Sequence, residues 1–203
     1  MPTPRLHFTR DEFSQRIANT RNAMQKRGID LLIVTDPSNM NWLTGYDGWS
    51  FYVHQCVILG LSGEPIWYGR GQDANGALRT CWMDPANIIG YPDHYVQSTE
   101  RHPMDYLSAQ LTDRKLDHGT IGVEMDNYWF TAATYASLQQ HLPNARFADA
   151  NALVNWQRAV KSETELDYMP TAGRIVGRMH ERIFEKVEPG IRKCDLVADI
   201  YDA

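Results

Sequence analysis

The densest group of side chains suited to chemistry lies at Trp49, Phe51, Tyr52 and His54, beside Asp47, in a segment that Gly48 and Ser50 otherwise mark as a turn. Such a run is too aromatic for an ordinary solvent turn, which favours small and polar residues. Two uses fit it: contact with a ligand, or packing in a core or across a dimer, with His54 satisfying a backbone carbonyl. Glu124, Met125 and Asp126 follow an apolar run, at the end of a strand where α/β proteins often place binding residues. Asp126 reads first as a turn or cap carboxylate before Asn127, and second as a binding residue. Asp73 and Arg79 share a short helix and read as a surface ion pair, or as supports for the aromatic loop. All of this is recognition chemistry. The seven histidines are isolated, with no His-x-x-x-His or Glu-x-x-His spacing. Cys56, Cys81 and Cys194 show neither Cys-x-x-Cys nor Cys-His spacing, so three buried, reduced thiols are expected rather than a disulfide or zinc site. These spacings therefore suggest no metal ligand or cofactor site within this chain.

At 203 residues the chain suits one domain, or one domain and part of another. Its formal charge of -5 and pI near 5.8, with Lys and Arg scattered, argue against nucleic acid or an acidic membrane as partner. There is no 18-residue apolar stretch and no apolar signal-peptide core near the start, which predicts a cytoplasmic protein.

The elements that must position these residues follow from periodicity and punctuation. Thr9 and Glu12 form a capping box for a helix over Arg10 to Arg27, with Phe13, Ile17 and Met24 on one face and Gly28 as its stop. Leu31 to Val34 is a short apolar run, the pattern of a strand buried on both faces. Asp36, Pro37 and Ser38 start a short helix carrying Met40, Trp42 and Leu43, which Gly45 ends. Cys56 to Leu61 and Pro65 to Tyr68 form a hairpin around Ser62-Gly63-Glu64. A helix over Gln72 to Thr80, a strand at Ile88 to Tyr91, a helix at Met104 to Leu111, a strand at Thr120 to Met125 and a helix at Thr131 to His141 follow. Asp149 is expected to cap a helix through Trp156, and Trp42 and Trp156 are expected in the core. Ser162 and Glu165 make a second capping box, opening a long helix with Leu166, Met169, Val176, Ile183 and Val187 on one face. Another helix begins at Lys193. The pattern predicts an α/β fold, a mixed sheet flanked by helices. Residues 1–156 form one domain and 157–203 a linker and the opening of a second, whose uncovered apolar face implies a longer protein.

Two phrases carry a resemblance. Gly28-Ile-Asp-Leu-Leu-Ile-Val-Thr-Asp-Pro-Ser-Asn-Met-Asn-Trp-Leu-Thr-Gly-Tyr46 is similar to the amino-terminal domain of the creatinase, prolidase and aminopeptidase P group, the pita-bread hydrolases of M24 type. Lys161-Ser162-Glu163-Thr164-Glu165-Leu166 resembles the Lys-Ser-x-x-Glu phrase with which that family enters its catalytic domain. The resemblance implies a creatinase-type amino-terminal domain followed by the first helix or helices of a pita-bread catalytic domain. Within the family, the phrases Asp47 to Cys56, Asp73 to Pro85 and Tyr91-Pro92-Asp93-His94-Tyr95 look most like the ectoine hydrolase branch. One residue departs from the pattern: Pro170 stands inside the long helix, where proline costs about 3 kcal/mol and predicts a kink or a later helix start.

The resemblance further implies a hydrolase of a non-peptide C–N bond, opening the cyclic amidine of ectoine to an acetylated diaminobutyrate. In the peptidase branch two Asp, one His and two Glu of the large domain hold a metal pair, whereas creatinase works without metal. This chain contains none of those positions, so the metal state stays open and the chain alone is expected to be inactive. Family subunits usually pair so that a small-domain loop closes over the neighbour's pocket, which implies a homodimer and places the counterpart loop at Tyr46 to His54. Trp49, Phe51, Tyr52, His54 and Asp126 are then the candidate substrate-binding residues for a small zwitterion. Each aromatic face attracts a cationic amidine by roughly 0.5 to 2 kcal/mol, and His54 could donate to a carboxylate. Two alternatives stand beside this reading: the amino-terminal domain of a dinuclear-metal Xaa-Pro peptidase, and a non-catalytic binding or assembly module.

Overall fold

The structure is a computed structural model that describes Pro4 and residues 6–203. Six strands form one sheet in the order β4-β3-β2-β1-β5-β6: β1 Leu31–Val34, β2 Cys56–Gly60, β3 Ile66–Arg70, β4 Ile88–Tyr91, β5 Gly119–Val123 and β6 Ala145–Asp149. β1 pairs antiparallel with β2 and parallel with β5; β2–β3 is an antiparallel hairpin, and β3–β4 and β5–β6 are parallel. The sheet is therefore mixed, as expected.

β1 is apolar throughout because it is central and covered on both sides. Strand side chains alternate between faces, and the two cores follow that alternation. Leu32 and Val34 join Phe13, Ile17 and Met24 of α1 (Arg10–Lys26), Met40 and Leu43 of α2 (Pro37–Thr44), and Leu153 and Val154 of α6 (Leu153–Ala159). Leu31 and Ile33 join Leu107 and Leu111 of α4 (Pro103–Asp113) and Leu138 of α5 (Ala132–His141) on the other face. The short α3 spans Ala74–Thr80. Thr9 caps α1 through the Glu12 amide, and Gly28 leaves it in the left-handed region at φ +64°. Arg16 lies buried on the inward side of α1, donating to the Trp42 carbonyl and to Glu12.

Three expectations are corrected and one strand is added. β6 was not anticipated; it is an edge strand whose Ala-Arg-Phe-Ala-Asp has one large apolar residue. Asp149 ends β6 and accepts the Asn151 amide, so it shapes a turn rather than capping α6. Trp42 is buried, but Trp156 is 70% exposed, because Leu153 and Val154 take the inward positions of a helix of only two turns. Cys56 and Cys81 are buried whereas Cys194 is exposed.

The chain divides into two compact units, one reaching Ala159 and the other Val160–Ala203. The second contains α7 (Glu163–Lys186) and α8 (Lys193–Asp202), neither with a buried residue, which is why Cys194 finds no core. Ser162 and Glu165 form the reciprocal capping box, and α7 begins at Glu163 and continues through Pro170. Leu166, Met169, Val176 and Val187 are all exposed. Among the described residues no helix is long and apolar enough to cross a membrane.

Candidate functional site

The aromatic loop starts where α2 stops. Gly45 closes α2 at φ +79°, and a Cβ there would stand 2.9 Å from the Thr80 carbonyl oxygen, so both conformation and space call for glycine. Tyr46 then turns inward. Its ring packs 5.1 Å from that of Trp67, its hydroxyl accepts from Gln55 Nε2, and burial pushes its pKa up to about 12. Gln55 also donates to Asp73 at 2.8 Å, while Asn41 donates to the Tyr46 carbonyl. The described residues show no ion pair between Asp73 and Arg79; Asp73 instead holds the far end of the loop.

Between these anchors the chain projects outward. Trp49, Phe51 and Tyr52 are 62%, 84% and 56% exposed. The Trp129 indole donates to the Ser50 carbonyl at 3.0 Å, bringing the 126–130 turn beside the loop. Tyr128 and Asp126 on that turn are exposed as well. The loop and turn together present an aromatic surface with two exposed carboxylates, Asp47 and Asp126, held by hydrogen bonds at its base.

His54 faces the other way. Its ring lies 4.5 Å from that of His102, and its Nδ1 is 3.4 Å from Thr134 Oγ. Burial, reinforced by His102, lowers its pKa to about 4, so the ring is neutral at ordinary pH. His102 caps α4: its Nδ1 accepts the Met104 amide at 3.1 Å, and Asp105 accepts the His102 amide at 2.7 Å. Burial lowers the His102 pKa too. With Nδ1 occupied as an acceptor, the neutral ring carries its proton on Nε2. Both imidazoles line a cavity of about 190 Å³ with Tyr52, Tyr91, Tyr95 and Arg101. Nothing in the sequence marks His102, Tyr91 or Arg101 as site residues. Tyr91 sits in an apolar strand, and the only signal for His102 was its place before Pro103.

Glu124 is structural. It is 2% exposed; one oxygen accepts the Thr35 and Asp36 amides at 2.6 and 2.8 Å, and the other accepts Asn39 Nδ2 at 2.6 Å. Asn39 also donates to Asn155 and accepts from Arg158, which ties α2 to α6. Ser137, Asp105 and His141 cluster on α4 and α5, but the serine donates to the aspartate rather than to the histidine. That order lacks the nucleophile-to-base link an acyl-transfer triad requires. Among the described residues there is no group of three or more His, Cys, Asp or Glu able to hold a metal ion.

Comparison with known proteins bears on the family and the fold. The family model for the Creatinase/Prolidase N-terminal domain matches residues 16–160. The chain is 62% identical over 197 residues to an ectoine hydrolase of Halomonas elongata, covering 97% of this chain and 49% of that protein. It is 45% identical over 199 residues to an uncharacterized hydrolase/peptidase of Sinorhizobium fredii, covering 98% and 51%. Among solved structures, an Xaa-Pro dipeptidase from Bacillus anthracis superposes with a TM-score of 0.69 at 16% identity, over 93% of this chain and 47% of that one. The chain thus spans about half the length of the curated relatives it matches.

Proposed function

The chain belongs to the creatinase/prolidase N-terminal domain family, and on that premise we propose that it is the amino-terminal portion of an ectoine hydrolase. In this reading residues 1–156 are the domain that caps substrate and supports dimer formation, and 157–203 lead into a pita-bread catalytic domain carrying the reacting groups. The whole enzyme opens the cyclic amidine of ectoine, a non-peptide C–N bond, to give acetylated diaminobutyrate. It works as a cytoplasmic homodimer, without nucleic acid or membrane partners.

The observation that carries the reading is the 62% identity to an ectoine hydrolase, sustained over nearly the whole chain. The dipeptidase superposition, at 16% identity, speaks for the fold alone and gives the peptidase alternative no weight. The surface formed by Trp49, Phe51, Tyr52 and Asp126 supports a role in substrate contact. Its rings are exposed although the hydrophobic effect favours their burial, and its base is tied down, so little ordering entropy remains to be lost on binding. His54 contributes from the inner side of the same loop. The loop acts in trans, on the neighbouring subunit's pocket.

The test uses a polypeptide extended to the length of the relatives. It should open ectoine and leave creatine and Xaa-Pro dipeptides intact, while the 203-residue chain alone turns over none of them. Mixing a Trp49→Ala protein with a catalytic-domain mutant should restore activity through heterodimers carrying one intact composite site. Preferential cleavage of an Xaa-Pro dipeptide refutes the substrate assignment; failure to complement in heterodimers verified by mass refutes the trans arrangement.

A further inference from the structure

The cavity behind the loop has a property that packing does not explain. Tyr91 is fully buried and lines the cavity; the His54 backbone amide lies against its oxygen, but no acceptor takes the hydroxyl's own proton. A buried donor without an acceptor is costly, and native proteins seldom leave one without a use. Burial also raises its pKa, so it remains a protonated donor. His102, whose Nδ1 is taken by the Met104 amide, offers a second donor at Nε2. Arg101 supplies a third group, its guanidinium lying 5.9 Å from the Tyr95 ring centre and 3.3 Å from Glu100. The eleven-residue α4 begins at the cavity's edge, with Pro103 as its first residue, and its N-terminal dipole favours negative charge there. The carboxylate nearest His102, that of Asp105, is already engaged by the His102 amide and Ser137.

We infer that this cavity, lined by Tyr91, His102 and Arg101, is a binding site for a small carboxylate. Every polar group singled out is a donor or a cation, so the complementary ligand is an acceptor carrying negative charge. One guanidinium, itself paired with Glu100, suits a singly charged planar carboxylate; a phosphate dianion would need more positive charge to offset its desolvation. At about 190 Å³ the space equals that of roughly six waters, enough for a short carboxylic acid and too little for a peptide. The site lies wholly within this chain and does not depend on the substrate reading above.

The experiment is a titration of the 203-residue chain with sodium acetate and, separately, inorganic phosphate, at constant ionic strength and neutral pH, followed by calorimetry and amide NMR. Acetate is expected to saturate with a dissociation constant near 1 mM, shifting the amides around His54 and His102, and phosphate to bind more weakly. Tyr91→Phe keeps the ring and its packing but deletes the donor; His102→Asp keeps an N-cap acceptor and replaces the donor with a negative charge. Both should weaken acetate by about fivefold or more, with Tyr91→Phe leaving the thermal stability of the ligand-free chain unchanged or raised. If His102→Asp fails to fold, the exposed Arg101→Gln replaces it, with the same expectation. No saturation by about 100 mM acetate, phosphate binding at least as tightly as acetate, or a folded variant that binds like the parent overturns the inference.

Discussion

Replacing Glu124 with glutamine changes one atom in a buried network and tests whether that network holds α2 and α6 to the sheet. The carboxylate oxygen facing Thr35 and Asp36 accepts two amides, and the carbonyl oxygen of glutamine can keep both. The amide nitrogen of glutamine must then face Asn39 Nδ2, which now donates at 2.6 Å, so two donors oppose each other. Asn39 cannot turn over without losing Arg158, which donates to its oxygen at 2.7 Å, and Asn155. A charge-assisted hydrogen bond lost at about 1.5–3 kcal/mol, plus an unsatisfied buried donor at about 1–3 kcal/mol, exceeds the relief of no longer burying a charge. A net loss of about 3 kcal/mol lowers Tm by roughly 6–12 °C for a unit of this size. Circular dichroism melts and urea titrations of Glu124→Gln measure it. Adding Asn39→Asp reverses the polarity, letting glutamine donate to an aspartate that still accepts from Arg158, and should recover part of the loss. A Tm within about 2 °C of the parent for the single variant, or no recovery in the double variant, refutes the reasoning.

Three further outcomes follow from the same geometry. His54 is held at about 4 against an ordinary 6.5. The folded state therefore binds fewer protons in that window, and the stability it contributes, full above pH 6.5, is lost as pH falls toward 4, by up to about 3 kcal/mol. His102 acts in the same direction, whereas Glu124, raised by burial, contributes stability that is lost as pH rises through its folded pKa. His54→Gln should remove only the first share, so parallel pH profiles for parent and variant would contradict the assignment. Trp49→Ala and Phe51→Ala should change stability by about 0.5 kcal/mol or less because both rings are exposed. In the longer enzyme they should cost about tenfold in kcat/KM, roughly 1.4 kcal/mol, and a large Tm loss with unchanged kcat/KM would make them packing residues. Hydrogen exchange on the chain should be slow in the sheet strands and fast throughout α7 and α8, which bury no residue; protection of Ser162 to Ala203 equal to that of β1 would oppose this.

What could be read in advance divides along local and long-range physics. α1, α2 and α7 were legible because caps, proline and left-handed glycine act within a few residues, as at Thr9, Asp36, Gly45 and Ser162. β1 was legible because a central strand must be apolar on both faces. β6 was not, since an edge strand covered on one side needs no continuous apolar run. The exposed aromatics of the candidate surface could be named from composition alone. The inward turn of His54 could not, because it depends on His102 and Thr134, residues distant in sequence that meet only when α4 and α5 cover the sheet. Likewise Glu124 at a strand end looked like a ligand residue, and only the arrival of Thr35, Asp36 and Asn39 reveals that its acceptors are filled.

The position of β1 bears on how the chain survives its own synthesis. Its antiparallel neighbour β2 is encoded soon after it, so β1 to β4 can assemble once Tyr91 has emerged from the ribosome. The opposite edge of β1, however, is covered only by β5 at Gly119–Val123. At about 5–20 residues per second, the passage from Tyr91 to Val123 lasts roughly two to six seconds. Throughout it, Leu31-Leu32-Ile33-Val34 presents an unpaired backbone edge that is apolar on both faces, a template for a neighbouring nascent chain on the same message. Slow codons between 92 and 118 would lengthen that interval, and polypeptides ending there should accumulate as aggregates, while those ending after Asp149 should stay in solution.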